Sequence, residues 1–344
     1  LETRSYKLAA CRFPGNSSEH PASAGWFATT WANTWMKDDR ISDVIPLRLS
    51  DTPISMSRNN IVWAALEHGA DYILMLDSDM KPDCEPDGKP FWSSSWDFMM
   101  EYRAREEAYA SNMRAVPWTD DSESIETSCR RLYPPATIAA PYCGPPPWEV
   151  VYMMKWVRDE TNSPTDPRPY HLEMFDRDHA ADFTGIFEVA AMATGLILYD
   201  ARVFKELPPP WFYYEYEDKF HKRKVSTEDI VQTRNASLLG LPQYCNWDSW
   251  AAHIKLKSVR KPRKLDVSAV PNAFADAVRK GTRGNHKVVI VGDKEDQFER
   301  PRIVRPGYPD FSHQDSGLTQ EPPPAFFFGA STAIPGLKLP ETSN

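Results

Sequence analysis

The 344-residue chain carries 40 Lys and Arg against 48 Asp and Glu, a net charge of −8, which excludes a protein that coats nucleic acid through bulk positive charge. That length favours one large domain with appendages or two domains, its 41% apolar content is modest, and 31 prolines beside 15 glycines point to long ordered loops or a loop-rich C-terminal region, not a flexible low-complexity linker. Five cysteines, odd in number and without C-x-x-C spacing, fit a reducing, cytoplasmic setting and neither a disulfide framework nor a zinc site.

Residues Tyr6 to Phe13 read as a buried strand, ended by Pro14-Gly15-Asn16. Trp26, Phe27, Trp31 and Trp35 then recur at mixed helical spacing, the pattern of a core face. A second strand, Val44 to Leu49, stops at Ser50-Asp51-Thr52-Pro53. Ser55 and Ser57 are placed to cap a helix whose apolar face is Ile61, Ala64, Ala65 and Leu66, with Gly69 ending it. The continuous apolar run Tyr72 to Leu76 reads as a buried strand and stops at Asp77-Ser78-Asp79. Strand, helix, strand, helix, strand is the signature of parallel α/β with right-handed crossovers. Strand alternation points Asp77 and Asp79 to one side, at the carboxyl end where such sheets bind ligands.

A helix feeding an apolar strand that ends in Asp-x-Asp resembles the nucleotide-sugar-dependent glycosyltransferases of the GT-A fold. The resemblance implies a Rossmann-like, mainly parallel sheet flanked by helices. It also implies Mn2+ or Mg2+ held by Asp77 and Asp79, with Ser78 in the same turn, against the diphosphate of a nucleotide-sugar donor, UDP-linked by preference. Asp51 matches the polar residue that contacts base or ribose, and Arg58 and Asn59 match an Arg-Asn pair beside phosphate groups. A second Asp-x-Asp, Asp176-Arg177-Asp178, has no apolar strand before it and reads as a solvated loop.

Further on, Pro82 to Pro90 is a polar loop, Trp92 to Ala110 a helix, and Asp120 to Glu126 an exposed acidic stretch. Thr137 to Tyr142 and Glu149 to Trp156 read as strands separated by Gly144-Pro145-Pro146-Pro147, with loops from there through Asp182. The stretch Phe187 to Phe204 is a strand carrying Thr194-Gly195 that runs into a helix start, and it resembles the acceptor-side strand of these transferases. Gly195 either lets a ligand approach the backbone or marks a bulge in a core strand. Pro208 to Tyr214 breaks the chain and exposes aromatics that either stack on a sugar or pack as an ordinary loop.

Ser226 to Val231 opens a helix capped by Thr227 and running to Leu239-Gly240. Glu228-Asp229 resembles the Glu-Asp of inverting transferases, which assigns Asp229 as general base toward the acceptor hydroxyl and Glu228 to holding the acceptor. A sugar hydroxyl is a poor nucleophile, so a carboxylate within hydrogen-bond reach is the chemistry required. Beyond the short strand Leu241 to Cys245, His253 resembles the third metal ligand, and imidazole with carboxylate and diphosphate oxygens suits Mn2+.

Lys255, Lys257, Arg260, Lys261, Arg263 and Lys264 crowd the next segment, as a lid over diphosphate, a contact for an anionic acceptor or a solvated linker. Lys287 to Val291 reads as a late strand and the chain from Pro301 as a Pro-rich tail. The expected division is a catalytic domain over 1–257, with nucleotide-sugar (1–143) and acceptor (144–257) halves, and an extension over 258–344. No run approaches eighteen apolar residues, so no membrane span is expected; the opening on Leu1 leaves room for a removed N-terminal anchor. The expected activity is metal-dependent, inverting sugar transfer to a hydroxyl of a glycan, protein, small molecule or modified nucleic-acid base. The competing readings are a metal-dependent nucleotidyltransferase or phosphodiesterase and a non-catalytic carbohydrate-binding protein.

Overall fold

The computed structural model describes residues 4–14, 19–49, 53–114, 125–144, 149–158, 170–216, 224–254 and 258–259. Several sequence expectations lie outside these residues: residues 15–16 of the first turn, Asp51, 120–124 of the acidic stretch, Pro145 to Pro147, the six basic residues, the late strand and the Pro-rich tail.

In chain order the elements are β1 (Tyr6–Phe13), α1 (Pro21–Asn33), β2 (Ile41–Arg48), α2 (Ile54–Glu67), β3 (Tyr72–Asp77), β4 (Met80–Lys81), α3 (Phe91–Arg114) and α4 (Ile125–Leu132). There follow β5 (Thr137–Ala139), β6 (Met153–Arg158), β7 (Tyr170–Met174), α5 (Arg177–Asp182), β8 (Ile186–Val189), β9 (Ala191–Met192), β10 (Leu196–Asp200) and α6 (Val203–Glu206). The remainder are β11 (Glu215–Tyr216), β12 (Lys224–Ser226), α7 (Glu228–Leu238), β13 (Gln243–Asn246), β14 (Ala252–Ile254) and β15 (Ser258–Val259).

Seven strands form the central sheet in the order β2-β1-β3-β10-β5-β13-β8. β2, β1, β3, β5 and β13 run parallel to one another, whereas β10 and β8 run against their neighbours, so the sheet is mixed and mostly parallel. Both expected halves feed it: β8, β10 and β13 come from beyond residue 143. The continuous apolar runs are explained by burial on both faces. Ala9, Cys11, Ile73 and Met75 join Ile61, Val62 and Ala65 of α2 on one side. Leu8, Ala10, Leu74 and Leu76 join Trp92, Trp96 and Met99 of α3 on the other. Each fully buried side chain of this size contributes about 1.5–3 kcal/mol over its exposed state.

Local departures have identifiable causes. α2 begins at Ile54 behind Pro53 with no side-chain cap bond; Ser57 is turned inward and buried. Gly69 does end the helix, with φ +71° and its N–H on Leu66 O. Thr227 holds the cap position of α7, again without a side-chain bond. The stretch expected as loop through Asp182 contains β7, paired along its length with β6, and α5. The second Asp-x-Asp is accordingly not solvated loop. Asp176 caps α5 by accepting from the N–H groups of Asp178 and His179, both at 3.0 Å, and Arg177 is buried on Glu149 at 2.7 Å. The aromatics after Pro210 are also not exposed. Trp211 and Phe212 are buried, and the Trp211 indole N–H donates to the carbonyls of Phe204 and Leu207.

Candidate active site

The site is built around Arg58, which α2 carries into the interior, where it is 3% exposed. Its Nη2 donates to both carboxylate oxygens of Asp77, at 3.0 and 2.9 Å, while Nη1 donates to Glu228 Oε1. One guanidinium therefore ties the end of β3 to the start of α7, two points remote in the chain. The guanidinium suits this task because its two terminal nitrogens reach different carboxylates, Nη2 that of Asp77 and Nη1 that of Glu228. Phe13 and Phe212 pack their rings 5.7 and 5.9 Å from the guanidinium carbon. Tyr214 donates its hydroxyl to Glu228. Asp229 follows, half-buried, with Oδ1 accepting from the N–H of Ile230 at 2.8 Å.

Three carboxylates around one cation leave an excess of negative charge, and the protonation equilibria reflect it. Burial works against the Arg58 charge, but Asp77, Asp229 and Glu228 outweigh it and raise its pKa. Burial pushes Asp77 upward, with Arg58 opposing and Asp79 adding. Glu228 is likewise raised by burial, Arg58 opposing and Asp229 adding. A carboxyl raised on folding binds its proton more tightly in the native state. Its contribution is thus present at acid pH and lost as pH rises through the folded value. Urea-unfolding free energies are expected to fall as pH rises just above the usual carboxylate range, and Glu228→Gln is expected to flatten that slope. An unchanged slope in the variant would reject the assignment.

Strand alternation does not carry Asp77 and Asp79 to the same partner, because β3 ends at Asp77 and Ser78-Asp79 form a turn. Asp77 faces Arg58, whereas Asp79 Oδ2 lies 3.1 Å from His253 Nε2. The second pairing is made by backbone: β14 pairs antiparallel with β4, setting His253 opposite Met80, and Ile254 N–H donates to Asp79 O at 2.6 Å. His253 Nδ1 is buried without a hydrogen-bond partner. The carbonyl of Ser78 accepts from His20 N–H at 3.0 Å.

Among the described residues no group of three or more His, Cys, Asp or Glu side chains is placed to hold a metal ion. Asp79 and His253 offer two ligands of the kind Mn2+ accepts, and such ions commonly complete their shells with phosphate oxygens and water. The Asp79 carboxylate and His253 Nε2 are donor types that fit a cation sharing its remaining positions with a substrate.

Gly195 serves packing. A Cβ there would stand 2.9 Å from Tyr142 Cζ and 3.0 Å from Met80 Sδ, and its carbonyl accepts Asp77 N–H at 2.9 Å. The register of β10 on β3 runs without a bulge. Asn59 is taken up by the loop at Trp211. Its Oδ1 accepts from the N–H groups of Trp211 and Phe212, and its Nδ2 donates to the carbonyls of Ser55 and Phe212. All four bonding positions of that amide are used. Tyr142 joins the site without having been singled out from sequence, whereas Tyr214 closes the aromatic stretch read as a sugar platform or a packed loop. The signal for Tyr142 is its place in the segment just beyond the short apolar strand β5, near the carboxyl end of the sheet.

No family model and no curated protein matches the chain. Among solved structures it is similar to the crystal structure of A197 from STIV, with a TM-score of 0.39 and 12% identity over 76% of this chain and 96% of that one. It is also similar to the crystal structure of HddC from Yersinia pseudotuberculosis, with a TM-score of 0.26 and 8% identity over 80% of this chain and 100% of that one. Neither likeness carries an argument about chemistry, which rests on the side chains above. What the fold defines is a mixed α/β protein with a mostly parallel central sheet. No helix among the described residues is long and apolar enough to cross a membrane.

Proposed function

We propose that the chain is a metal-dependent glycosyltransferase of the GT-A kind, moving a sugar from a nucleotide-diphosphate donor, UDP-linked by preference, to an acceptor hydroxyl with inversion. The observation that supports this most is the Arg58 bridge between Asp77 and Glu228. It brings the acidic turn beyond the central strand and the Glu-Asp helix start into one site, with the Asp79–His253 pair attached to the same turn.

Asp77, Asp79, Glu228 and Asp229 outnumber Arg58, so an anionic donor needs added positive charge to enter. Mn2+ or Mg2+ on Asp79 and His253, with Asp77 assisting through water or ribose, would offset the charge gathering on the departing diphosphate. Glu228, engaged by Arg58 and Tyr214, holds the helix start in place. That leaves Asp229 as the base. The acceptor oxygen attacks the anomeric carbon as Asp229 takes its proton, and the bond to the diphosphate breaks with its electron pair leaving on the diphosphate. One displacement inverts the anomeric centre.

The test is thermal shift and turnover with Mn2+ and a panel of sugar nucleotides, beside nucleoside triphosphates. A ligand at a hundred times its Kd adds about 2.7 kcal/mol to stability. A sugar nucleotide is expected to raise Tm only with Mn2+ present, and both EDTA and His253→Ala are expected to abolish the shift. Consumption of nucleoside triphosphates with pyrophosphate release, and no response to sugar nucleotides, would replace this reading with nucleotidyl transfer.

A further inference from the structure

Tyr142 is buried, at 6% exposed, yet its hydroxyl makes no hydrogen bond to any described residue. The ring is buried while the hydroxyl oxygen stays accessible, so the phenol is a donor open to a ligand. Its place in the site is defined on three sides. The hydroxyl-bearing carbon lies against Gly195, where a Cβ would approach to 2.9 Å, and Gly195 O receives Asp77 N–H. The ring meets the His253 imidazole edge-on, with centroids 5.4 Å apart. Tyr152 packs on it at 5.4 Å, and Tyr152 N–H donates to Tyr142 O at 3.2 Å, fixing the backbone.

In the proposed reaction the diphosphate departs toward Asp79 and His253 while the acceptor arrives from Asp229, so the transferred sugar lies between them. Tyr142 touches His253 on one side and, on the other, Gly195, whose carbonyl receives the Asp77 N–H. We infer that Tyr142 belongs to the subsite of the transferred sugar, its hydroxyl donating a hydrogen bond to a hydroxyl of the hexose. The inference rests on the transferase reading and adds to it the group that senses the sugar independently of the nucleotide. Gly195 has no side chain because any would push the phenol out of that position.

Calorimetric titration of the full chain with Mn2+ and matched pairs tests it: UDP against UDP-glucose, UDP-galactose and UDP-N-acetylglucosamine, and GDP against GDP-mannose. Tyr142→Phe keeps the ring on Gly195 and His253 and removes one neutral hydrogen bond. It is expected to weaken the sugar nucleotide roughly 3–10-fold while the free diphosphate binds as before. As a second measurement, deoxy analogues of the bound sugar are titrated into the unaltered protein. One position is expected to lose the same factor, and Tyr142→Phe is expected to be indifferent to it. If the unaltered protein binds no pair, the transferase reading falls and takes this inference with it. If it binds a pair but Tyr142→Phe weakens both members alike, or neither, or if no deoxy position matters, transfer stands and the sugar contact is overturned.

Discussion

Asp229→Asn is expected to lower sugar transfer by about 10²–10⁴-fold, the range of a positioned general base, while donor binding and stability hold. The structure gives reasons for both halves of that result. Glu228 is buried and engaged by Arg58 and Tyr214, so it is not free to accept a proton from substrate. Asp229 is half-buried, and its side-chain hydrogen bond among the described residues is to the N–H of Ile230. Asparagine can accept that same bond through its carbonyl oxygen, so the helix start survives. Rate loss without loss of Tm separates a base from a structural residue. An Asp229→Asn enzyme within tenfold of the parent would move the base elsewhere and remove the case for one-step inversion.

Arg58→Met is expected to be the most destabilising single change at the site, by about 3–5 kcal/mol, because it strands Asp77 and Glu228 without their shared cation. Methionine fills much of the volume, so the loss is electrostatic. Two further outcomes identify the cause. Stability of the variant is expected to recover at acid pH, since both carboxyls already bind protons more readily than usual and would do so further without Arg58. Adding Asp77→Asn and Glu228→Gln is expected to restore stability without activity. Arg58→Lys keeps the charge but cannot present the fork to both carboxylates. Urea unfolding across pH measures all four. If Arg58→Met is as stable as the parent at neutral pH, the bridge is not what joins β3 to α7.

Much of the fold was legible because local chemistry and the final packing agree. The run Tyr72 to Leu76 reads as a strand and is one, since a strand covered by helices on both faces is apolar at every position. Gly69 and Gly240 mark helix ends with positive φ. The misreadings arose where polar residues have partners far along the chain. Asp176-Arg177-Asp178 looks solvated because a helix cap and a buried ion pair use the residue types of a surface turn. Trp211 beside a proline run looks exposed because the sequence does not reveal that Asn59 holds that loop against the core.

For the site, short runs of residues already name the groups available: an acidic turn after a buried strand, a carboxylate pair at a helix start, and a histidine near the end of the described chain. Those are local features, written into runs of a few residues. Which group faces which was decided by tertiary structure alone. The turn at Ser78 separates Asp77 from Asp79, Arg58 reaches across to Glu228, and the pairing of β14 with β4 delivers His253 to Asp79. The reason is physical: side-chain direction at a strand end depends on where the strand stops, and contacts between distant segments depend on sheet order, neither of which is encoded in nearest neighbours.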